Sequence, residues 1–165
     1  MSTTRLFSKD RTVYWPAEFS DVMDQLTGAD PDGRPSGRPA LYTYNTGALT
    51  LAAAIGVINQ RKRDLKSERK EISTSIFANH ELEAYIFLIP MLGDKEPNIE
   101  HLRPENEEAV IKTFERYAAG GLEILRGATL AEPTQSIDQV VEQLITPKRR
   151  SEKVTSGIPL LIDVK

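Results

Sequence analysis

The stretch FERYAAGGLEILRG, Phe114 to Gly127, decides how this chain folds. Apolar residues recur at helical spacing on both sides of it, yet Gly120 and Gly121 stand together in its middle. Each interior glycine costs a helix about 1 kcal/mol relative to alanine. Either the pair ends one helix and opens another, or it offers a flat patch on which a neighbouring element packs closely. A phosphate-cradling glycine loop would need a strand before it and a helix N-terminus after it; here a helical segment precedes. The four small residues of AAGG are matched upstream by AAAIG, Ala52 to Gly56. Gly56, Gly120 and Gly121 are therefore expected to be helix-packing positions.

Outward from that stretch, helices dominate. RPENEEAVIKTFERYAAGGLEILRG has Pro104 and three glutamates, Glu105, Glu107 and Glu108, where a helix begins, and an apolar face of Val110, Ile111, Phe114, Tyr117 and Ala118. TGALTLAAAIGVINQRKRDL reads as a second helix, with Leu51, Ala54, Ile55 and Ile58 on one face. PAEFSDVMDQLTG reads as a third, opened by Pro16, striped by Phe19, Val22, Met23 and Leu26, and stopped at Gly28. In EISTSIFANHELEAYIFLIPMLG, Ile72 to Ile76 is β-prone, Asn79 is a candidate cap, and Leu82, Tyr85, Ile86 and Ile89 are expected to face inward. Pro90 is expected to kink or end that helix. SIDQVVEQLI carries a capping box at Ser136 and Gln139 ahead of a full apolar stripe. LYTY, from Leu41, reads as a short extended piece, and the tail GIPLLIDVK as β-prone.

The expected fold is mainly α: a compact helical bundle with short β pieces, particularly near the C-terminus. At 165 residues it reads as a single domain, 1–165, with an ordered core over about 41–146. The Pro/Gly-rich segment 29–40 is expected to be a flexible loop and 147–165 a looser tail.

Composition narrows the chemistry. The chain has no cysteine, which removes disulfides and thiolate metal sites and makes a reducing, cytoplasmic setting the simplest expectation. No apolar run reaches the roughly 18 residues of a membrane span, and MSTTRLFSKDRT lacks the apolar region of a signal peptide. No membrane partner is expected. The net charge of −3 argues against a uniformly cationic nucleic-acid binder, but the charge is uneven. RKRDLKSERK places Arg61, Lys62, Arg63, Lys66, Arg69 and Lys70 against only Asp64 and Glu68. PKRRSEK adds Lys148, Arg149 and Arg150. Such a cluster suits DNA phosphates; alternatively, cations after a helix C-terminus merely complement its dipole.

Catalytic constellations are sparse. His80 and His101 are the only histidines and share no metal-ligand spacing, so no metal or other cofactor is expected. Pro31–Asp32 with Glu68-x-Lys70 loosely echoes the proline-aspartate, glutamate-x-lysine arrangement of metal-dependent nucleases, in which Asp32 and Glu68 would hold Mg²⁺. Asp32, however, falls in the Pro/Gly loop. There is no serine nucleophile elbow, P-loop or zinc motif, and no catalytic residue is assigned.

LTLAAAIGVINQRKR and FERYAAGGLEIL, with FANHELEAYIFLIPML between them, together resemble the small proteins associated with DNA phosphorothioation (Dnd) systems. The resemblance runs from about Thr46 to Arg126. Such systems replace a backbone phosphate oxygen by sulfur and restrict unmodified invading DNA. The resemblance implies an antiviral, restriction-modification setting and a non-catalytic accessory role. It implies DNA and other proteins of the defence system as partners, and it supplies no catalytic residues. Small-residue helix faces also make a homo-oligomer conceivable. Two alternatives stay open: an interaction subunit that bridges the system's enzymes without touching DNA, and a metal-dependent nuclease.

Overall fold

The computed structural model describes residues 5–30, 32, 34, 37, 39–93 and 95–146. Among the described residues the fold is mainly α with one small antiparallel ribbon. Strand β1 (Thr12–Pro16) leads through a 3₁₀ turn into helix α1 (Ser20–Thr27), and helix α2 (Asn45–Ile58) follows. Strand β2 (Arg69–Ser73) runs directly into α3 (Thr74–Asn79), and α4 (Glu83–Gly93), α5 (Glu107–Ala131) and α6 (Ile137–Ile145) complete the order. β1 and β2 pair from Thr12 opposite Ser73 to Pro16 opposite Arg69.

Helix α5 is the axis of the molecule, and α2 packs along it. It runs unbroken through Gly120 and Gly121, which excludes the reading in which the pair separates two helices. Both glycines are buried. A Cβ on Gly121 would fall on the Ala52 carbonyl of α2, and one on Gly56 would fall on the Tyr117 carbonyl of α5. The two backbones are therefore in direct contact, and only glycine leaves room for that approach. Phe77 and Phe114 meet edge to face beside this seam, with ring centroids 6.2 Å apart. Leu49, Ile55, Ile86, Leu122 and Leu125 close the core around them.

Several local expectations are corrected. Pro16 ends β1 rather than starting a helix, because Val13 and Trp15 bury alternately and pair with β2. Gly28 does terminate α1, in the left-handed conformation at φ 67°. Leu41–Tyr44 forms no strand. Helix α2 stops at Ile58, well short of Leu65. Gln60 takes φ 51°, and the Gln60 and Arg61 N–H groups close back onto the Val57 and Gly56 carbonyls at 3.0 and 2.8 Å. That pattern satisfies the last carbonyls of a helix and turns the chain away. Asn79 ends α3 instead of capping α4, and Ser73 is the cap of α3. Pro90 lies inside α4 and the helix continues to Gly93. Tyr85 points outward, while Phe87 is buried in its stead. The capping box of α6 forms as expected. The tail GIPLLIDVK lies outside the described residues.

Candidate nucleic-acid interface

The end of α2 sets the position of the basic segment. Residues 61–68 form neither helix nor strand and lie along α5 as a strap. The Arg63 N–H donates to the Arg116 carbonyl of α5 at 3.0 Å. A Cβ on Gly120 would fall on the Arg61 carbonyl. The two adjacent glycines thus serve different neighbours: Gly121 seats α2 and Gly120 seats the strap. Successive residues on a helix point about 100° apart, so one pair can receive two segments.

The basic residues fall into two groups. Arg61 forks onto Glu123, its Nη2 lying 3.1 Å from Oε1. Arg63 binds Glu18 at 2.7 Å and lies 5.0 Å from the centre of the Phe19 ring. Asp64 in turn is bound by Arg116 at 2.8 Å. These charges are largely spoken for within the fold. Lys62, Arg69 and Lys70 instead stand over aromatic faces, those of Tyr117, Tyr14 and Trp15, at 4.8, 4.8 and 5.4 Å. Among the described residues no carboxylate lies within ion-pair distance of these three. Lys66 touches Glu18 only at 3.8 Å, with its side chain 68% exposed. Lys148, Arg149 and Arg150 lie outside the described residues.

Sequence spacing could not have foreseen this division. Glu18 and Glu123 lie 45 and 62 residues from the arginines they bind, and no local pattern announces them. Beside Lys70 opens a cleft of about 880 Å³ lined by Asp24, Tyr42, Tyr44 and Asn45 among others. Burial pushes the Asp24 carboxyl up, against the opposing pull of Lys70. At the start of α2, Tyr44 stacks on His80 at 4.1 Å, and His80 Nδ1 is 2.8 Å from Thr46 Oγ1. His80 is thus engaged locally. His101 sits in a separate 3₁₀ turn, Ile99–Leu102. Asp32 is exposed in a turn and Glu68 is exposed ahead of β2. Among the described residues no group of three or more metal-ligating side chains comes together.

The buried carboxylates have a different employment: they hold the N-terminal segment. Glu83 accepts from the Leu6 and Phe7 N–H groups at 3.0 and 3.1 Å. Glu107 accepts from the Ser8 N–H at 2.7 Å, the Ser8 hydroxyl at 2.9 Å and Arg11 Nε at 2.8 Å. Burial pushes the Glu107 carboxyl up, but these bonds outweigh it and hold it below its ordinary value. Glu115 accepts the Tyr14 N–H at 2.8 Å, covering the edge of β1 that β2 leaves open. Burial dominates there and raises the Glu115 carboxyl. Asp10 gathers Ser73, Thr74 and the Ser75 N–H at the start of α3, and those bonds, led by the Ser73 hydroxyl, lower it.

The fold and this surface define a small, mainly α protein with a cationic strap fixed on a central helix. The model of the family described as DNA sulphur modification system-associated protein 4 matches residues 15–158, and the chain belongs to that family. The match extends the resemblance read from residues 46–126 well to either side. No curated protein and no solved structure matches the chain. No helix among the described residues is long and apolar enough to cross a membrane.

Proposed function

We propose that the chain is a non-catalytic accessory protein of a DNA sulphur modification system, acting in restriction of unmodified DNA, and that it touches duplex DNA weakly through its strap and β2. The observation that carries this reading is the division of the cations. Lys62, Arg69 and Lys70 stand at the surface with no ion-paired carboxylate among the described residues, and Lys66 is held only loosely by Glu18, all on elements fixed to α5 and β1. Cations of that kind suit phosphate oxygens, which position a protein on DNA without reading sequence. Arg61 and Arg63 serve as anchors of the strap rather than as contacts. The non-catalytic role is supported by the use of the buried carboxylates, which bind backbone N–H groups of the N-terminal segment.

A titration of labelled duplex DNA at two salt concentrations tests the reading. Three to four phosphate contacts give a log–log salt slope of about −3. Replacing Lys62, Arg69 and Lys70 by alanine together flattens the slope and weakens binding to all sequences alike, with the melting curve showing that the fold remains. No detectable binding at about 50 mM salt decides for the second reading, a subunit that bridges other proteins of the system. That reading has its own support in the apolar residues α4 leaves uncovered. Plasmid cleavage with Mg²⁺ that is lost on Asp32→Ala or Glu68→Ala would instead establish the nuclease.

A further inference from the structure

Helix α4 is apolar all round: after Glu83 it reads AYIFLIPMLG. Such a helix is normally buried on every side. Here only one side is covered, by Ile86, Phe87, Ile89 and Pro90. Tyr85, Leu88 and Leu92 line the other, at 46%, 48% and 74% exposure. Their spacing makes one stripe about 10 Å long. Next to it runs a groove of about 230 Å³ walled by Leu6, Ala84, Phe87, Leu88 and Leu102. The groove is prebuilt: Glu83 pins Leu6 by its main-chain N–H at 3.0 Å, and Phe7 stacks on Phe87 at 4.5 Å.

We propose that this face of α4 docks an amphipathic helix of a partner protein, one large apolar side chain entering the groove and basic residues flanking the stripe. This deepens the bridging reading and does not depend on DNA contact. The length of the stripe and a groove of one-side-chain size fit the i, i+3, i+7 anchors of a docked helix. The basic flanks follow from charge. Leu102 belongs to a segment in which Glu96, Glu100, Glu105 and Glu108 outnumber Lys95 and Arg103, even with Arg103 bound to Glu100 at 2.6 Å and reaching Glu105 at 3.8 Å. A second copy of this chain fits poorly. Its most amphipathic helix, α6, already buries Val140 and Val141 in its own core and exposes Asp138 and Glu142. The uncovered apolar area, on the order of a few hundred Å², is also below the roughly 800 Å² per partner of a stable dimer.

The probe is a pair of labelled helical peptides of about four turns with the same leucine stripe, one flanked by lysines and the other by glutamates. Fluorescence anisotropy with the full chain is expected to show binding of the lysine-flanked peptide only. Leu92→Glu, at an exposed position, is expected to weaken that binding by more than about tenfold and to leave the melting temperature and the DNA salt slope unchanged. Binding of neither peptide, equal binding of both, or binding that survives Leu92→Glu overturns the proposal. Concentration-dependent self-association abolished by Leu92→Glu would assign the face to a second copy. Sedimentation with phosphatidylcholine vesicles abolished by the same change would assign it to a lipid surface; either result also overturns it.

Discussion

Helix α5 receives its neighbours by two opposite means. Along its Gly120–Gly121 side, α2 and the strap come in backbone to backbone, with nothing but missing Cβ atoms to admit them. Along its Glu107 and Glu115 side, residues 8–14 are held by carboxylates that reach out to the Ser8 and Tyr14 main-chain N–H groups and to the Arg11 side chain. The first contact is made by removing atoms and tolerates no addition. The second is made by adding a charged group to a buried site and is tolerable only while every lone pair is matched. One is governed by volume and is indifferent to pH. The other is governed by protonation.

The largest effect should come from breaking the first contact. Gly121→Leu places side-chain atoms on the Ala52 carbonyl, an obstacle made of helix backbone rather than of a movable side chain. Overpacking of this kind costs about 1–3 kcal/mol and sometimes more, and rigid backbone puts it at the upper end. For a chain of this size the melting temperature should fall by roughly 10 °C, followed by circular dichroism at 222 nm. An unchanged melt would mean that α2 and α5 do not touch at this point.

Breaking the second contact should be milder and should depend on pH. Glu107→Gln keeps the shape but weakens the bonds to Ser8 and Arg11. Losing good partners in a buried network costs about 1–3 kcal/mol. The Glu107 carboxyl sits below its ordinary value in the fold, so its contribution is present above that value and is lost as pH falls through the folded one. Glu107→Gln should therefore lower stability at neutral pH and flatten the acid limb of the stability curve. Glu115 has the opposite sign. Its raised carboxyl favours the fold fully below the ordinary value, and that contribution is lost as pH rises through the folded one. Glu115→Gln leaves an amide oxygen to accept the Tyr14 N–H and should be neutral or stabilising at pH 7. Equal destabilisation by both changes would show that the two carboxylates differ only in position.

How far sequence reading reaches follows the same division. The α2–α5 seam was visible because small residues cluster in the chain itself, as AAAIG and AAGG. The helices were visible where apolar periodicity was strong, as in α5 and α6. β1 was missed because its alternation is only five residues long and leads straight into the next helix through Pro16. The carboxylate contacts were invisible because their partners lie 63 to 101 residues apart. An isolated glutamate at a helix start reads as a dipole complement and not as an anchor. The basic cluster is legible in the sequence, but neither its strap conformation nor its division into anchors and exposed cations is, since Glu18 and Glu123 come to it only through the fold. The end of α2 at Ile58 was missed for a local reason. The left-handed residue that ends it is Gln60, where glycine or asparagine is the usual signal.

The smallest effect comes from a third glycine of the same helix and sharpens the comparison most. Gly127 also lies inside α5, six residues beyond Gly121, but it is exposed and a Cβ built there meets nothing within 4 Å. Its backbone is not in the left-handed region. Nothing in the fold requires glycine at this position, so only the conformational freedom of the unfolded chain is at stake. Alanine restricts that freedom, and Gly127→Ala should stabilise the protein by about 0.5–1 kcal/mol. The melting temperature should rise by roughly 2 °C. The same Gly→Ala change at 121 should lower it, because there the single added methyl group already reaches the Ala52 carbonyl. Opposite signs from one identical substitution on one helix would separate packing glycines from incidental ones. A fall in both would mean that α5 needs flexibility at its C-terminal end for a reason other than close approach.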